Sequence, residues 1–175
     1  MDKTLYAFHV VLTTHNSRTS KRMTKYGVIK GPKTLLNHSE EIKLTEAFKQ
    51  VILEKGFQCI AYNICYDHIH IVLVCYSDEL PQIVRVLKSK TSYLFGLSGY
   101  KEKGKPLWSQ KYYWSCLNNW KLSKNYGAND SNYLDNTIEY IKHNRANHNL
   151  TSSAELENLI ETFLISITDA FLLEG

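Results

Sequence analysis

The chain has 175 residues, a formal net charge of +4, 43% apolar residues and 22% charged residues. That length buries a real core in one domain with room for an appendage, and the composition excludes a disordered, collagen-like or coiled-coil chain. No stretch approaches the roughly twenty apolar residues of a spanning helix, and His9 interrupts the short apolar run of MDKTLYAFHVVLTTH, so no membrane span or signal peptide is expected and the cytoplasm is the default.

Residues 5–14, LYAFHVVLTT, are β-branched and aromatic and predict a strand. A basic polar loop, SRTSKRMTK, follows, then a short strand near Tyr26–Ile29 that ends at Gly31–Pro32. A first helix is expected from about Ser39 to Lys55, with a capping box at Asn37 and Glu40 and a stop at Gly56. Leu44, Ala47, Phe48, Val51 and Ile52 form its apolar stripe. Residues 57–76 are too long for one ordinary strand, and the polar break near Asp67 predicts two strands joined by a tight turn. A second helix is expected from about Glu79 to Phe95, then a glycine-rich basic loop, then a strand over WSQKYYWSCL. A polar connection to residue 130 leads to a third helix, about Ser131 to Arg145. A fourth, about Ala154 to Leu173, opens with a capping box at Ser152 and Glu155. Without the short second strand, the order is β-α-β-β-α-β, the pattern of an α+β, ferredoxin-like antiparallel sheet. Residues 1–150 form the expected domain. Residues 151–175 add an acidic amphipathic helix that packs on that domain or serves as a dimer contact.

Charge is uneven along the chain. Residues 1–35 hold seven Lys/Arg against one acid, residues 101–125 six against one, and residues 151–175 five acids and no base. Two basic segments suit either a solvated surface or a polyanion partner. Aromatic residues beside the second segment (Tyr93, Tyr100, Trp108, Tyr112, Tyr113, Trp114 and Trp120) suit stacking on unpaired bases, although any one of them also suits a core.

His68-Ile69-His70 opens a predicted strand, and residues two apart in a strand share a face. Both imidazoles can therefore reach one metal, though buried core histidines fit that pattern equally. On the third helix Leu134, Ile138 and Ile141 form the apolar stripe, while Tyr140 falls beside it with Tyr133, Thr137 and Asn144. Asn144 lies one turn beyond Tyr140, so both project toward one spot. A structural zinc site is the competing reading of Cys65-x-x-His68-x-His70 with Cys75. A regular strand would turn Cys75 away from both histidines; Cys65 precedes the turn and stays available. The four cysteines form no CxxC pair and otherwise read as buried reduced thiols.

A His-x-His strand followed about seventy residues later by a Tyr-x-x-x-Asn helix resembles the HUH single-tyrosine transposases, comprising the insertion-sequence 200/605 group and the REP-associated tyrosine transposases. YDHIHIVL resembles the family's histidine motif, LPQIVRVLKSKTSYLF the helix after it, PLWSQKYYWS its Trp…Tyr strand, and IEYIKHNR its nucleophile helix. The resemblance covers about residues 5–147. It implies Tyr140 as nucleophile, His68 and His70 as metal ligands, and Asn144 as third ligand where the insertion-sequence group usually has Gln; His143 is an alternative. Two imidazoles and an amide oxygen suit Mg²⁺ or Mn²⁺.

The implied reaction is cleavage and rejoining of single-stranded DNA at hairpin-flanked ends through a 5′-phosphotyrosine. Lys88 matches the family's helix lysine and is expected on a DNA phosphate, and Arg18, Lys21 and Arg22 are expected on the hairpin backbone. Because exchange of two ends needs two active sites, the resemblance implies a homodimer or sequential events. Two further readings stay open: a domesticated REP-associated-type nuclease and strand transferase, and a non-catalytic ferredoxin-like module that binds nucleic acid.

Overall fold

The computed structural model describes residues 4–100, 104–119 and 132–172. Trp120, the polar connection to residue 130, Ser131 and Leu173 lie outside the described residues, as do residues 101–103 of the glycine-rich loop. The strands are β1 (Leu5–Thr13), β2 (Gln58–Cys65), β3 (His68–Tyr76) and β4 (Tyr113–Cys116). They form one antiparallel sheet in the order β2-β3-β1-β4. The helices are α1 (Lys21–Lys25), α2 (His38–Lys55), α3 (Leu80–Leu97), α4 (Tyr133–Lys142), α5 (Asn144–Asn147), α6 (Ala154–Glu161) and α7 (Ile167–Phe171). The expected α+β, ferredoxin-like arrangement is present. Among the described residues no helix is long and apolar enough to cross a membrane.

Alternation along the strands divides the molecule into two apolar layers. Phe8, Val10, Leu12, Ile69, Ile71 and Leu73 point to one face and bury against α2 and α3. Cys75 belongs to that layer, so it does point away from His68 and His70. Ala7, Val72, Val74 and Ala61 point to the other face, which Ile138 and Ile141 of α4 and Ala170 of α7 cover. All four cysteines are free and buried. The capping box at Asn37 and Glu40 is present, and Gly56 ends α2 in a left-handed conformation, φ 64°.

Several expectations need correction. The short strand near Tyr26–Ile29 does not form. Tyr26, Val28 and Ile29 are exposed and have no ladder partner, and β-branched side chains make a strand only where a neighbour covers them. The basic loop before it instead holds the one-turn α1, capped by the Ser20 hydroxyl accepting from the Met23 N–H. Regular pairing in the last strand is confined to Tyr113–Cys116, while Trp108 makes only an isolated bridge to Thr14. The third helix breaks at His143 into α4 and α5. The fourth breaks into α6 and α7, and Ser153, not Ser152, caps α6. The second break has a visible cause. Phe163 packs edge-on against Tyr62 at 5.3 Å, and the Ile165 N–H donates to the Cys59 carbonyl on the edge of β2. Leu156, Ile160 and Phe163 thus join the first layer, and Ala170, with Ile165 and Ile167, joins the second.

Candidate active site

The antiparallel register decides which side chains share the site face. Val11 stands opposite His70, Thr13 opposite His68 and His9 opposite Val72. On the other flank Cys65 pairs with His68 and Asn63 with His70. Cross-strand partners project to the same side of a sheet. His9, Asn63, Cys65, His68 and His70 therefore line one face.

Helix α4 is fastened over that face by its C-terminal end. The Asn63 amide donates to the carbonyls of Ile141 (2.7 Å) and Lys142 (3.1 Å) at the C-terminal end of the helix, where carbonyls need partners from outside it. One turn on, Arg145 donates to the Ile64 carbonyl (2.8 Å) and to buried Glu41 on α2 (2.9 Å). These bonds place Tyr140 with its ring edge-on to His70, centroids 5.6 Å apart, and leave it 47% exposed. Asn144 is carried underneath and fully buried; its amide nitrogen lies 3.2 Å from His68 Nε2 and 3.2 Å from Cys65 Sγ.

Both motif histidines are held by Nδ1. Asp67 Oδ1 accepts from His68 Nδ1 at 2.6 Å, and His9 Nε2 meets His70 Nδ1 at 2.8 Å with the rings stacked. The Asp67 carboxylate can only accept, so it keeps the His68 proton on Nδ1 and turns the Nε2 lone pair into the site, the arrangement of a metal-binding histidine; His70 matches it when its Nδ1 donates to His9 Nε2. Asn144 Oδ1 is buried with no hydrogen-bond partner, which suits an amide oxygen kept for a cation. Side-chain amides are oriented by their partners, so turning this one over would bring that oxygen to His68 Nε2. The residues present therefore fit a divalent ion.

Burial keeps His9 and His70 neutral. It lowers His9 to about 4. Burial, then the positive neighbours His9, His68, Arg18 and His148, lower His70 to about 3. Asp67 is pushed up by burial, but its bond to and charge attraction for His68, with Arg18 and His148 beyond, outweigh that and hold it below the ordinary carboxylate value. Burial pushes the Cys65 thiol up to about 12. A stability consequence follows. Below about 6.5 the unfolded chain protonates both His9 and His70, while the folded chain does not until about 4 and 3. The unfolded state thus binds more protons in that window, and stability falls as pH drops through it. Lowering the pH from 7.5 to 5 in a chelator should cost roughly 2–4 kcal/mol in urea melts, and His9→Leu should remove about half of that fall.

A cleft of about 580 Å³ opens over the site, lined by Val11, Thr13, Arg18, Tyr113, Tyr140 and His148, with Lys111 and Tyr112 at its side. Arg18 is thus at the site, whereas Lys21 and Arg22 sit on exposed α1. Lys88 stands in a neighbouring cleft with Trp108, and Tyr112 lines both clefts. Its ammonium donates to the carbonyls of Ser109 (2.7 Å) and Gln110 (2.9 Å), and burial lowers its pKa. His143 is exposed on the other side of the helix, bonded to the Glu139 carbonyl. The residues that sequence reasoning missed are His9, Asp67, Asn63 and His148. His9 interrupts an apolar strand and Asp67 precedes the motif; His148 follows Tyr140 and Asn144 at the same four-residue spacing, which is a legible signal.

The family model described as "Transposase IS200 like" matches residues 3–144 of this chain. No curated protein matches it. Among solved structures, a REP-associated tyrosine transposase bound to a REP hairpin is similar at 16% identity and a TM-score of 0.52, over 83% of this chain and 70% of that one. A candidate transposase from Deinococcus radiodurans R1 is similar at 16% identity and a TM-score of 0.49, over 79% of this chain and 90% of that one. The first likeness is one of fold: the sheet and helices superpose where the sequences have diverged. With the family match spanning both the histidine strand and the tyrosine helix, this chain belongs to the IS200-like transposases.

Proposed function

We propose that the protein is a single-stranded DNA endonuclease and strand transferase that acts at hairpin-flanked ends with Tyr140 as nucleophile. The observation that carries this reading is the meeting, within one chain, of the half-exposed Tyr140 ring with His70, whose Nδ1 is tied to His9 and whose Nε2 is left free. The Tyr140 oxygen attacks phosphorus; the bond to the 3′ oxygen breaks; the phenol loses its proton and the 3′ oxygen gains one. The products are a 5′-phosphotyrosine and a free 3′-OH, and the phosphodiester energy kept in the link allows rejoining without ATP. His68, His70 and Asn144 would hold Mg²⁺ or Mn²⁺, which supplies positive charge against the scissile phosphate.

The remaining residues bind and orient. Arg18 and Lys111 flank the cleft and suit a phosphate, and Tyr112 and Tyr113 suit stacking on an unpaired base. Arg18, Lys21 and Arg22 are assigned to the hairpin backbone. Lys88 on α3 is assigned to a DNA phosphate, since its two carbonyl bonds leave one N–H and the charge. The hairpin named for the REP-associated relative supports a structured single strand as the substrate class. We assign the catalytic unit to residues 1–150, with α6, α7 and the turn between them as a brace across the edge of β2. Exchange of two ends requires two copies of the site, which a homodimer supplies.

The test is a covalent adduct on a denaturing gel, formed with labelled hairpin DNA from the flanks of the gene and Mn²⁺. The wild-type chain should give the adduct and the His68→Ala/His70→Ala variant should not. Tight binding with no adduct would point to the other reading, a non-catalytic binding module. His9 is a positioning residue here. His9→Leu should raise the Mn²⁺ concentration needed for half-maximal adduct by about 10–100-fold, with hairpin affinity measured without metal unchanged.

A further inference from the structure

Cys65, His68 and His148 bring one ligand atom each to within 4.8 Å of one another, and none of the proposed chemistry uses Cys65 or His148. Cys65 is fully buried at the end of β2, and the His148 ring stands edge-on to His68 with centroids 4.8 Å apart. The Asn144 amide lies between Cys65 Sγ and His68 Nε2, touching both at 3.2 Å, and its buried oxygen has no partner. Cys65, His68 and His148 bring a sulfur and two nitrogens around one point, and turning the Asn144 amide over would add its oxygen. Ligand atoms of a tetrahedral zinc site lie about 3.5 Å apart, so the cluster needs to contract by roughly 1 Å, within reach of side-chain rotation.

We propose that Cys65, His68 and His148, completed by Asn144, form a site for a soft divalent ion of the Zn²⁺ class. Binding is a ligand exchange without redox change: the thiol proton leaves to solvent and the sulfur lone pair goes to the ion. The donor set separates this site from the one assigned to Mg²⁺ or Mn²⁺. A thiolate favours zinc over hard cations, and the ligand atoms that lie within 4.8 Å of one another are those of Cys65, His68 and His148, without His70. His68 and Asn144 serve both sets, so one ion at a time is held. This exclusion rests on reading His68 as a ligand of the catalytic ion. It makes Zn²⁺ an inhibitor that draws His68 and Asn144 away from the DNA side of the site.

The test uses the full chain and Co²⁺, whose bond to a thiolate gives a near-ultraviolet charge-transfer band. One equivalent of Co²⁺ should produce that band in the wild-type chain and in His70→Ala, and Cys65→Ser should lose it. His148→Ala should weaken the affinity by about tenfold or more. His148 is only half buried, so that variant decides the matter if Cys65→Ser fails to fold. No band in the wild type, a band that survives Cys65→Ser, or unchanged affinity in His148→Ala would overturn the site. Mn²⁺-dependent adduct formation on the same preparation keeps the two readings apart: adduct without a cobalt band sinks this site alone, and a cobalt band without adduct sinks the nuclease reading and the inhibition, leaving the ion site. One equivalent of Zn²⁺ should suppress the Mn²⁺-dependent adduct in the wild type, and no suppression would overturn the exclusion.

Discussion

Tyr140→Phe should abolish the covalent adduct while leaving hairpin binding within about twofold of wild type. Only the hydroxyl is removed, and the ring that packs against His70 remains. Loss of a nucleophile costs about three orders of magnitude in rate or more, because no neighbouring group replaces it. The measurement is adduct formation over time beside an equilibrium binding curve for the same DNA. An adduct that persists in Tyr140→Phe would overturn the assignment. Tyr113, 51% exposed in the same cleft, would then be the nucleophile to test.

The second large effect lies behind the site. Arg145 and Glu41 form an ion pair at 2.9 Å with both side chains buried, one on α5 and the other on α2. The same guanidinium donates to the Ile64 carbonyl on β2 and the Thr151 carbonyl. It therefore fixes the turn that carries Asn144. Glu41→Ala strands a buried positive charge, which costs about 3–5 kcal/mol. In a domain of this size that is a fall in melting temperature of roughly 10 °C. Glu41→Met combined with Arg145→Met should recover a substantial part, since the desolvation penalty disappears with the charges. Urea melts of the single and double variants check this. A loss below about 1 kcal/mol in Glu41→Ala would show the pair to be solvated. In the single variant, Mn²⁺-dependent cleavage should fall more than DNA affinity, because Asn144 loses its position before the basic cleft loses its charge.

Strand and helix identities were legible where local pattern and burial agree. The two-residue alternation of β1 and β3 and the capped stripe of α2 depend on contacts that every antiparallel sheet with helices on one face provides. Tyr140 and Asn144 were legible as a spacing, since a helix brings residues four apart together wherever it sits. Elements that failed were those whose partners lie far away in the chain. Tyr26–Ile29 has strand residues and no strand beside it. The last predicted helix has an unbroken stripe, yet Phe163 and Ile165 are claimed by Tyr62 and Cys59 on the edge of β2, and the helix breaks to serve two apolar layers.

The site shows the same division. Its histidine pair and its tyrosine each follow from a period in the chain, and a period needs no knowledge of the fold. His9, Asn63 and Arg145 could be placed only by the register of β1 and β2 against β3, because pairing offset by one residue would turn each strand's side chains to the other face. Cys65 and His148 sit more than eighty positions apart and meet only because α5 folds back over the end of β2. Periodicity is local and survives in a single sequence. Which nitrogen of an imidazole is held, which is free, and which sulfur stands beside it depend on close packing between distant segments, and that geometry exists only once the layers have closed.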